Sequence, residues 1–207
     1  MIKLCVFDFD STLMDGETID FLAEPLGISE QVSAITERAM QGKLDFFESL
    51  TTRVGLLKGL SSVQADAICH SLPYMPGAKE TIAALKEKGM KVIVFSGGFR
   101  NATSFAKAEL GFDADFANIL HVKDDKLTGL VGGDMMFDHS KGDMMQRLQN
   151  LLGIAPEETM AVGDGANDRS MFAHAKLKVA YCAKPILKEH ANAIVDTKNL
   201  TEILNYL

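Results

Sequence analysis

The sequence has no tryptophan, only three tyrosines and only three cysteines, and no apolar run long enough to cross a membrane. Cys5, Cys69 and Cys182 are widely spaced and odd in number, so they build neither a disulfide framework nor a zinc site. They read as buried thiols of a reducing compartment. Basic residues are also in deficit. Against 28 Asp and Glu stand 21 Lys and Arg, a formal net charge of -7, which argues against a broad surface for nucleic acid or anionic membrane. A small anion is not excluded, because a few cations gathered in one pocket act locally against the global sign. The first apolar run starts at Ile2, too near Met1 for a signal peptide, and the expected location is cytoplasmic. What remains is a 207-residue chain, 47% hydrophobic and 24% charged, enough for one sizeable core with an inserted subdomain or for two small domains.

Ile2–Phe7 has the β-branched and aromatic content of a buried strand, and it stops abruptly at Asp8-Phe9-Asp10-Ser11-Thr12. If the backbone stays extended, Asp8 and Asp10 share one face, and such a pair needs a proton or a cation between its charges. From Glu17 to Leu72 the pattern is helical, with helices expected over Glu17–Pro25, Ser29–Met40, Leu44–Lys58 and Ser61–Leu72. Strand patterns return at Lys91–Phe95, Thr159–Gly163, Leu177–Tyr181 and Ala193–Val195. Helices are expected over Ala78–Lys88, Ala102–Leu110, Gly142–Leu152, Arg169–Ala175 and from Thr201. Ile119–Val122 and Leu127–Val131 flank a polar tip and read as an antiparallel hairpin. The expected fold is α/β: a doubly wound, Rossmann-like parallel sheet core (1–14 and 76–207) with an inserted all-helical cap subdomain (15–75) and a small hairpin.

In such sheets ligands bind at the carboxyl ends of the strands. Asp8 and Asp10, Ser96 with Gly97 and Gly98, Lys141, and Asp164 with Asn167 and Asp168 should therefore meet in one crevice. Several carboxylates balanced by one lysine call for a divalent cation, and hard oxygen ligands with places for water and phosphate suit Mg²⁺. The Ser-Gly-Gly stretch, read as a turn before a helix, offers a hydroxyl and N–H groups to an anion, and Lys141 adds a point charge. Asp168 is also well placed to cap the helix from Arg169. Together these residues describe phosphoryl transfer. His70, His121, His139, His174 and His190 have no ligand spacing and read as structural or exposed.

Asp8-Phe-Asp10-Ser-Thr, Ser96-Gly-Gly, Lys141 and Gly163-Asp164-Gly-Ala-Asn167-Asp168, in this order, resemble the four motifs of the haloacid dehalogenase-like phosphatase superfamily. A narrower resemblance, to the phosphoserine phosphatases, rests on Asp10 to Ile19, Ala39 to Leu44, Arg53 to Lys58, Ser96-Gly-Gly-Phe99 and Cys182-Ala-Lys-Pro185. It implies Mg²⁺-dependent hydrolysis of O-phospho-L-serine to L-serine and phosphate, the last step of serine biosynthesis. On that resemblance Asp8 is the nucleophile that becomes an aspartyl-phosphate, and Asp10 protonates the leaving oxygen and later takes a proton from water. The Asp8 carboxylate, the Asp10 main-chain carbonyl and Asp164 would hold Mg²⁺. Ser96, Gly97, Lys141 and Asn167 would bind the phosphoryl group, and Asp168 would support them through hydrogen bonds.

Specificity would come from the cap. Phe46 and Arg53 are seven residues apart on one predicted helix and so share a face. Arg53 would grip the substrate carboxylate and Glu17 the α-ammonium, while Met40 and Phe46 wall the pocket. The expected partner is this small molecule, with no nucleic acid and no membrane, in a monomer or homodimer. Two alternatives stay open: a phosphatase or phosphotransferase acting on homoserine phosphate, and a receiver-like signalling domain that carries a phospho-aspartate as a switch. The second lacks the helical insertion and the Asp two residues past the nucleophile.

Overall fold

The computed structural model of the chain describes residues 1–40 and 44–207, and every side chain among them except that of Met40. The Met40 wall and part of the Ala39–Leu44 stretch therefore lie outside the described residues. Strands β1 (Leu4–Asp8), β2 (Lys91–Phe99), β3 (Ala114–Lys123), β4 (Lys126–Gly133), β5 (Thr159–Gly163), β6 (Leu177–Tyr181) and β7 (Ala193–Val195) form one sheet in the order β4-β3-β2-β1-β5-β6-β7. Every neighbouring pair is parallel except β3 with β4.

The first strand lies in the middle because it is apolar on both faces, and both are covered. Cys5 and Phe7 point to one side, where α5 (Ala78–Glu87) and α6 (Arg100–Leu110) bring Ile82, Leu85, Ala102 and Ala106. Leu4 and Val6 point to the other, against Met145 of α7 (Ser140–Leu152), Phe172 of α8 (Arg169–Phe172) and Leu187 of α9 (Pro185–Lys188). The period-two alternation of a strand makes that division.

Between β1 and α5 the described chain forms helices and isolated bridges but no strand: α1 (Thr18–Ala23), α2 (Ser29–Met40), α3 (Phe46–Leu56) and α4 (Ser62–Cys69), with a 3₁₀ turn at Glu24–Leu26. Asp45 caps α3 by accepting from the Glu48 N–H at 3.1 Å, and Ser61 caps α4 from the Gln64 N–H at 3.5 Å. Among the described residues no helix is long and apolar enough to cross a membrane.

Several local expectations are corrected. Ser96-Gly97-Gly98 is no turn: β2 continues to Phe99 across a register shift against β3. The hairpin is no appendage, since Ala114–Phe116 pair in parallel with Ile93–Phe95 before the antiparallel part begins. Its tip also meets the helical insertion, where Gly59 N–H donates to the Leu127 carbonyl and Leu127 N–H to the Leu60 carbonyl, both at 2.8 Å. The chain ends in a 3₁₀ helix, Leu200–Tyr206. Cys5 and Cys69 are buried free thiols, but Cys182 is exposed.

Candidate active site

Parallel pairing of β1 with β5, Phe7 opposite Val162, brings the carboxylates that follow the two apolar runs side by side. Oxygens of Asp8, Asp164 and Asp168 all lie within 4.8 Å of one another. Lys141, in the first turn of α7 and only 2% exposed, reaches behind them, with Nζ 2.6 Å from Oδ1 of both Asp8 and Asp168. Phe9 N–H donates to the same Asp8 oxygen at 2.7 Å. Asp8 Oδ2 is thereby the oxygen left for chemistry.

Asp168 does not cap α8. Its Oδ2 accepts from the N–H groups of Asp164 and Gly165, each at 3.0 Å, so its side chain fixes the turn after β5 while Oδ1 holds Lys141. A Cβ at Gly163 would lie 2.4 Å from that carboxylate, which explains the glycine. With its oxygens so engaged, Asp168 is a support, and Asp8 and Asp164 are the pair with oxygens to spare.

Two ammonium groups serve three carboxylates: Lys141 pairs with Asp8 and Asp168, and Lys184 Nζ stands 3.9 Å from Asp164 Oδ2. Burial first, then Asp168 and Asp164, push the Asp8 carboxyl well above the usual carboxylate range, with Lys141 pulling the other way. Burial and Asp168 likewise push Asp164 up to about 7. Crowded hard oxygens short of positive charge fit a divalent cation.

The crowded pair is not the one expected from spacing. The extended run stops at Asp8, Ser11 turns into the left-handed region at φ 58°, and Asp10 is held by other partners. Its Oδ1 accepts from Thr18 N–H at 2.7 Å and Thr18 Oγ1 at 2.5 Å, and its Oδ2 accepts from Ser96 Oγ at 3.0 Å. The Asp10 side chain is thus outside the acidic cluster, which leaves its carbonyl as the atom to consider for metal. Ser96 is fully buried and also accepts from Gly98 N–H at 2.9 Å. The glycines that follow are there for close approach: a Cβ on Gly98 would sit 2.7 Å from Asp10 Oδ2, and one on Gly97 2.9 Å from the Phe46 ring. Asn118 ties this stretch down, donating to the Gly97 carbonyl at 3.0 Å.

A cavity of about 290 Å³ opens over these groups. Asp8, Asp10, Gly97, Asp164 and Asn167 line it from the sheet, and Glu17, Phe46 and Arg53 from the helical insertion. Ser96, Lys141 and Asp168 stand behind that lining, and none of the five histidines belongs to it. Glu17 accepts from Ser11 Oγ at 2.7 Å, and burial, then Asp10 and Asp164, push it up to about 8. Arg53 is 9% exposed, and among the described residues no carboxylate lies within ion-pairing distance of it. Its Nε donates to the Ser49 carbonyl at 3.2 Å and its Nη1 to Thr36 Oγ1 at 3.0 Å. Sequence reasoning missed Thr18, Thr36 and Asn118. Thr18 stood inside a quoted motif; a threonine in a helix or an asparagine in a strand gives no signal of its own.

A family model for haloacid dehalogenase-like hydrolases matches residues 2–176. The chain belongs to the haloacid dehalogenase-like hydrolase family. This hydrolase is 63% identical to a phosphoserine phosphatase of Wolinella succinogenes over 206 residues, covering all of both chains. It is 49% identical to one of Methanocaldococcus jannaschii, with 99% of this chain and 97% of the relative covered. A solved phospho-aspartyl intermediate analogue of phosphoserine phosphatase superposes on this hydrolase with a TM-score of 0.96 at 48% identity, covering 100% of this chain and 99% of the other. A substrate-bound phosphoserine phosphatase complex gives the same values.

Proposed function

We propose that this hydrolase converts O-phospho-L-serine to L-serine and phosphate, with Asp8 as the nucleophile. One observation carries the substrate: a buried arginine, with no counter-ion among the described residues, and a carboxylate, Glu17, share a cavity with the acidic cluster. A buried guanidinium calls for an anion and Glu17 for a cation, which are the two charges of an amino-acid end. Phe46 fills the wall between helices and sheet. Residues 15–75 then act as a cap that reads the amino acid, and residues 1–14 and 76–207 as the core that does the chemistry. The buried free thiols Cys5 and Cys69 support a reducing, cytoplasmic compartment, and the reading is completed by a place as the last step of serine biosynthesis and by a monomer or homodimer.

In the reaction Asp8 Oδ2 attacks phosphorus, the bond from phosphorus to the serine oxygen breaks, and Asp10 gives that oxygen its proton. Water then attacks the aspartyl-phosphate, Asp10 takes the water proton, and the bond to Asp8 breaks to release phosphate. Lys141 holds Asp8 Oδ1, so only Oδ2 turns to the substrate. Gly97 and Asn167 are assigned to the phosphoryl oxygens, while Ser96, expected there from the resemblance, is buried behind the lining and donates to Asp10 Oδ2. The donor set fits Mg²⁺, which the Asp8 and Asp164 carboxylates and the Asp10 carbonyl would hold. When bound it supplies positive charge that keeps Asp8 ionised and offsets charge on the phosphoryl group.

Phosphate release should be followed for phosphoserine, homoserine phosphate, phosphoglycolate and phenyl phosphate, with and without Mg²⁺. Phosphoserine is expected to have the highest kcat/KM, by about 10–200-fold over homoserine phosphate, whose extra methylene must fit the same cavity. Arg53→Ala should lower kcat/KM about 10–100-fold more on phosphoserine than on phenyl phosphate, which has no carboxylate to lose. Faster turnover of homoserine phosphate or phosphoglycolate, or equal losses on both substrates, refutes this substrate.

A second expectation concerns metal-free protein. A carboxyl whose folded pKa is raised binds protons that the unfolded chain has already lost, so its effect is to lower stability as pH rises. For Asp164 that window runs from about pH 4 to about pH 7. Chelator-treated protein should therefore melt at a lower temperature at about pH 8 than at about pH 5.5, Asp164→Asn should flatten that dependence, and Mg²⁺ should restore the melting temperature at the higher pH. A metal-free melting temperature independent of pH in both proteins would mean that Asp164 is not held above its ordinary range in the folded protein.

A further inference from the structure

We infer that Thr36 is a positioning residue for substrate recognition: its hydroxyl fixes the Arg53 guanidinium in the orientation that reads the carboxylate. The inference rests on the phosphoserine reading and assigns to that site a residue which touches no reacting atom.

An arginine side chain is long and flexible, and its use as a fork depends on the plane of the guanidinium being set before the anion arrives. Here it is set at two points on two helices. The Nε–H is tied to the carbonyl of Ser49, one turn back on α3, which fixes the near end. The Nη1–H is tied to Thr36 on α2, which fixes rotation of the far end. An arginine has five N–H donors, so three remain, including both on Nη2, and among the described residues these have no partner.

The threonine hydroxyl is itself oriented. Its own proton goes to the Val32 carbonyl at 3.1 Å, so its lone pairs are what Arg53 meets. Thr36 therefore serves as an acceptor. Both residues are nearly closed to water, at 8% and 9% exposure, and an unmet N–H there has little solvent to fall back on.

Helix stability does not explain a threonine at this place. A β-branched residue gains nothing over an unbranched one in a helix, and a hydroxyl bonded to the carbonyl four residues back weakens the turn slightly. Valine has the same shape and would keep the packing, so the hydroxyl is there for another reason. The group that uses it is Arg53.

The test compares Thr36→Val, Thr36→Ser and Arg53→Ala in steady-state assays on phosphoserine and phenyl phosphate. Thr36→Val should raise KM for phosphoserine about tenfold, with kcat within about twofold, and change kcat/KM for phenyl phosphate much less. Thr36→Ser keeps the acceptor and should recover most of the loss. A wild-type KM in Thr36→Val, equal losses on the two substrates, or a serine variant no better than the valine one overturns the inference. If Arg53→Ala alone is selective for phosphoserine, Thr36 has no such role and the substrate reading stands. If Arg53→Ala harms both substrates equally, the substrate reading fails and the role of Thr36 with it.

Discussion

Asp8→Asn is expected to lower kcat at least about 10⁴-fold on every phosphate ester, while leaving the folded protein as stable as the parent or more so. An amide cannot form the aspartyl-phosphate, and two of the neighbouring carboxylates are engaged elsewhere. Asp10 is pinned by Thr18 and Ser96, and Asp168 by Lys141 and two backbone N–H groups. Phosphate-monoester hydrolysis needs up to ~10²¹-fold acceleration, roughly 28 kcal/mol, of which a general acid supplies about 10²–10⁴-fold. The covalent route and the charges that favour it must supply much of the rest.

Stability should move the other way, because Asp8 is held above its ordinary range by burial and by Asp168 and Asp164, and a neutral amide of the same shape is spared that cost. An unchanged or higher melting temperature beside a lost kcat separates chemistry from misfolding. Acid-quenched wild-type turnover should carry phosphate on the peptide containing Asp8. A variant that keeps kcat within about tenfold, or phosphate mapped to another residue, would move the nucleophile elsewhere.

Much of this site could be read in advance because its carboxylates stand where apolar runs stop. Leu4–Phe7 and Met160–Val162 are hydrophobic without interruption, so both had to be interior strands, and a parallel sheet puts the polar residues after them at one end. The helical insertion was legible from periodicity and punctuating glycines, and the helix expected from Ser29 begins there. What stayed hidden depends on partners distant in sequence. Asp168 follows the local rule for a cap, yet a buried lysine 27 residues away and two backbone N–H groups compete better for its oxygens. Ser96-Gly97-Gly98 has turn composition, but its glycines answer to Phe46 and Asp10, and strand pairing absorbs the irregularity as a register shift. Ala114–Asn118 has too few β-formers to announce a strand, and it is one because β2 offers it an edge.

Lys141→Met should cost about 3–5 kcal/mol of unfolding free energy near pH 8, because it leaves buried carboxylates without their cation. Burial alone would make this lysine less basic, but Asp168 and Asp8 more than reverse that and hold it above the ordinary lysine range. A raised lysine contributes stability that is present below its unfolded pKa of about 10.5 and lost only above it, so in the wild type the contribution is constant from about pH 5 to about pH 9. In the variant the burden passes to Asp8, which can shed its charge by taking a proton. The deficit should therefore shrink as pH falls from about 8 to about 5.5, as measured by urea unfolding of metal-free protein at both values. Adding Mg²⁺ should recover part of it at the higher pH, since a cation at Asp8 and Asp164 does some of the lysine's work. Activity should not recover in step. Without Nζ at 2.6 Å, Asp8 Oδ1 is no longer held, both oxygens compete for the substrate-facing position, and kcat should remain about 10²–10³-fold down even with the metal present. Equal stability of variant and wild type at about pH 8, or a deficit that does not change with pH, would mean that Lys141 is not the charge that keeps this cluster folded.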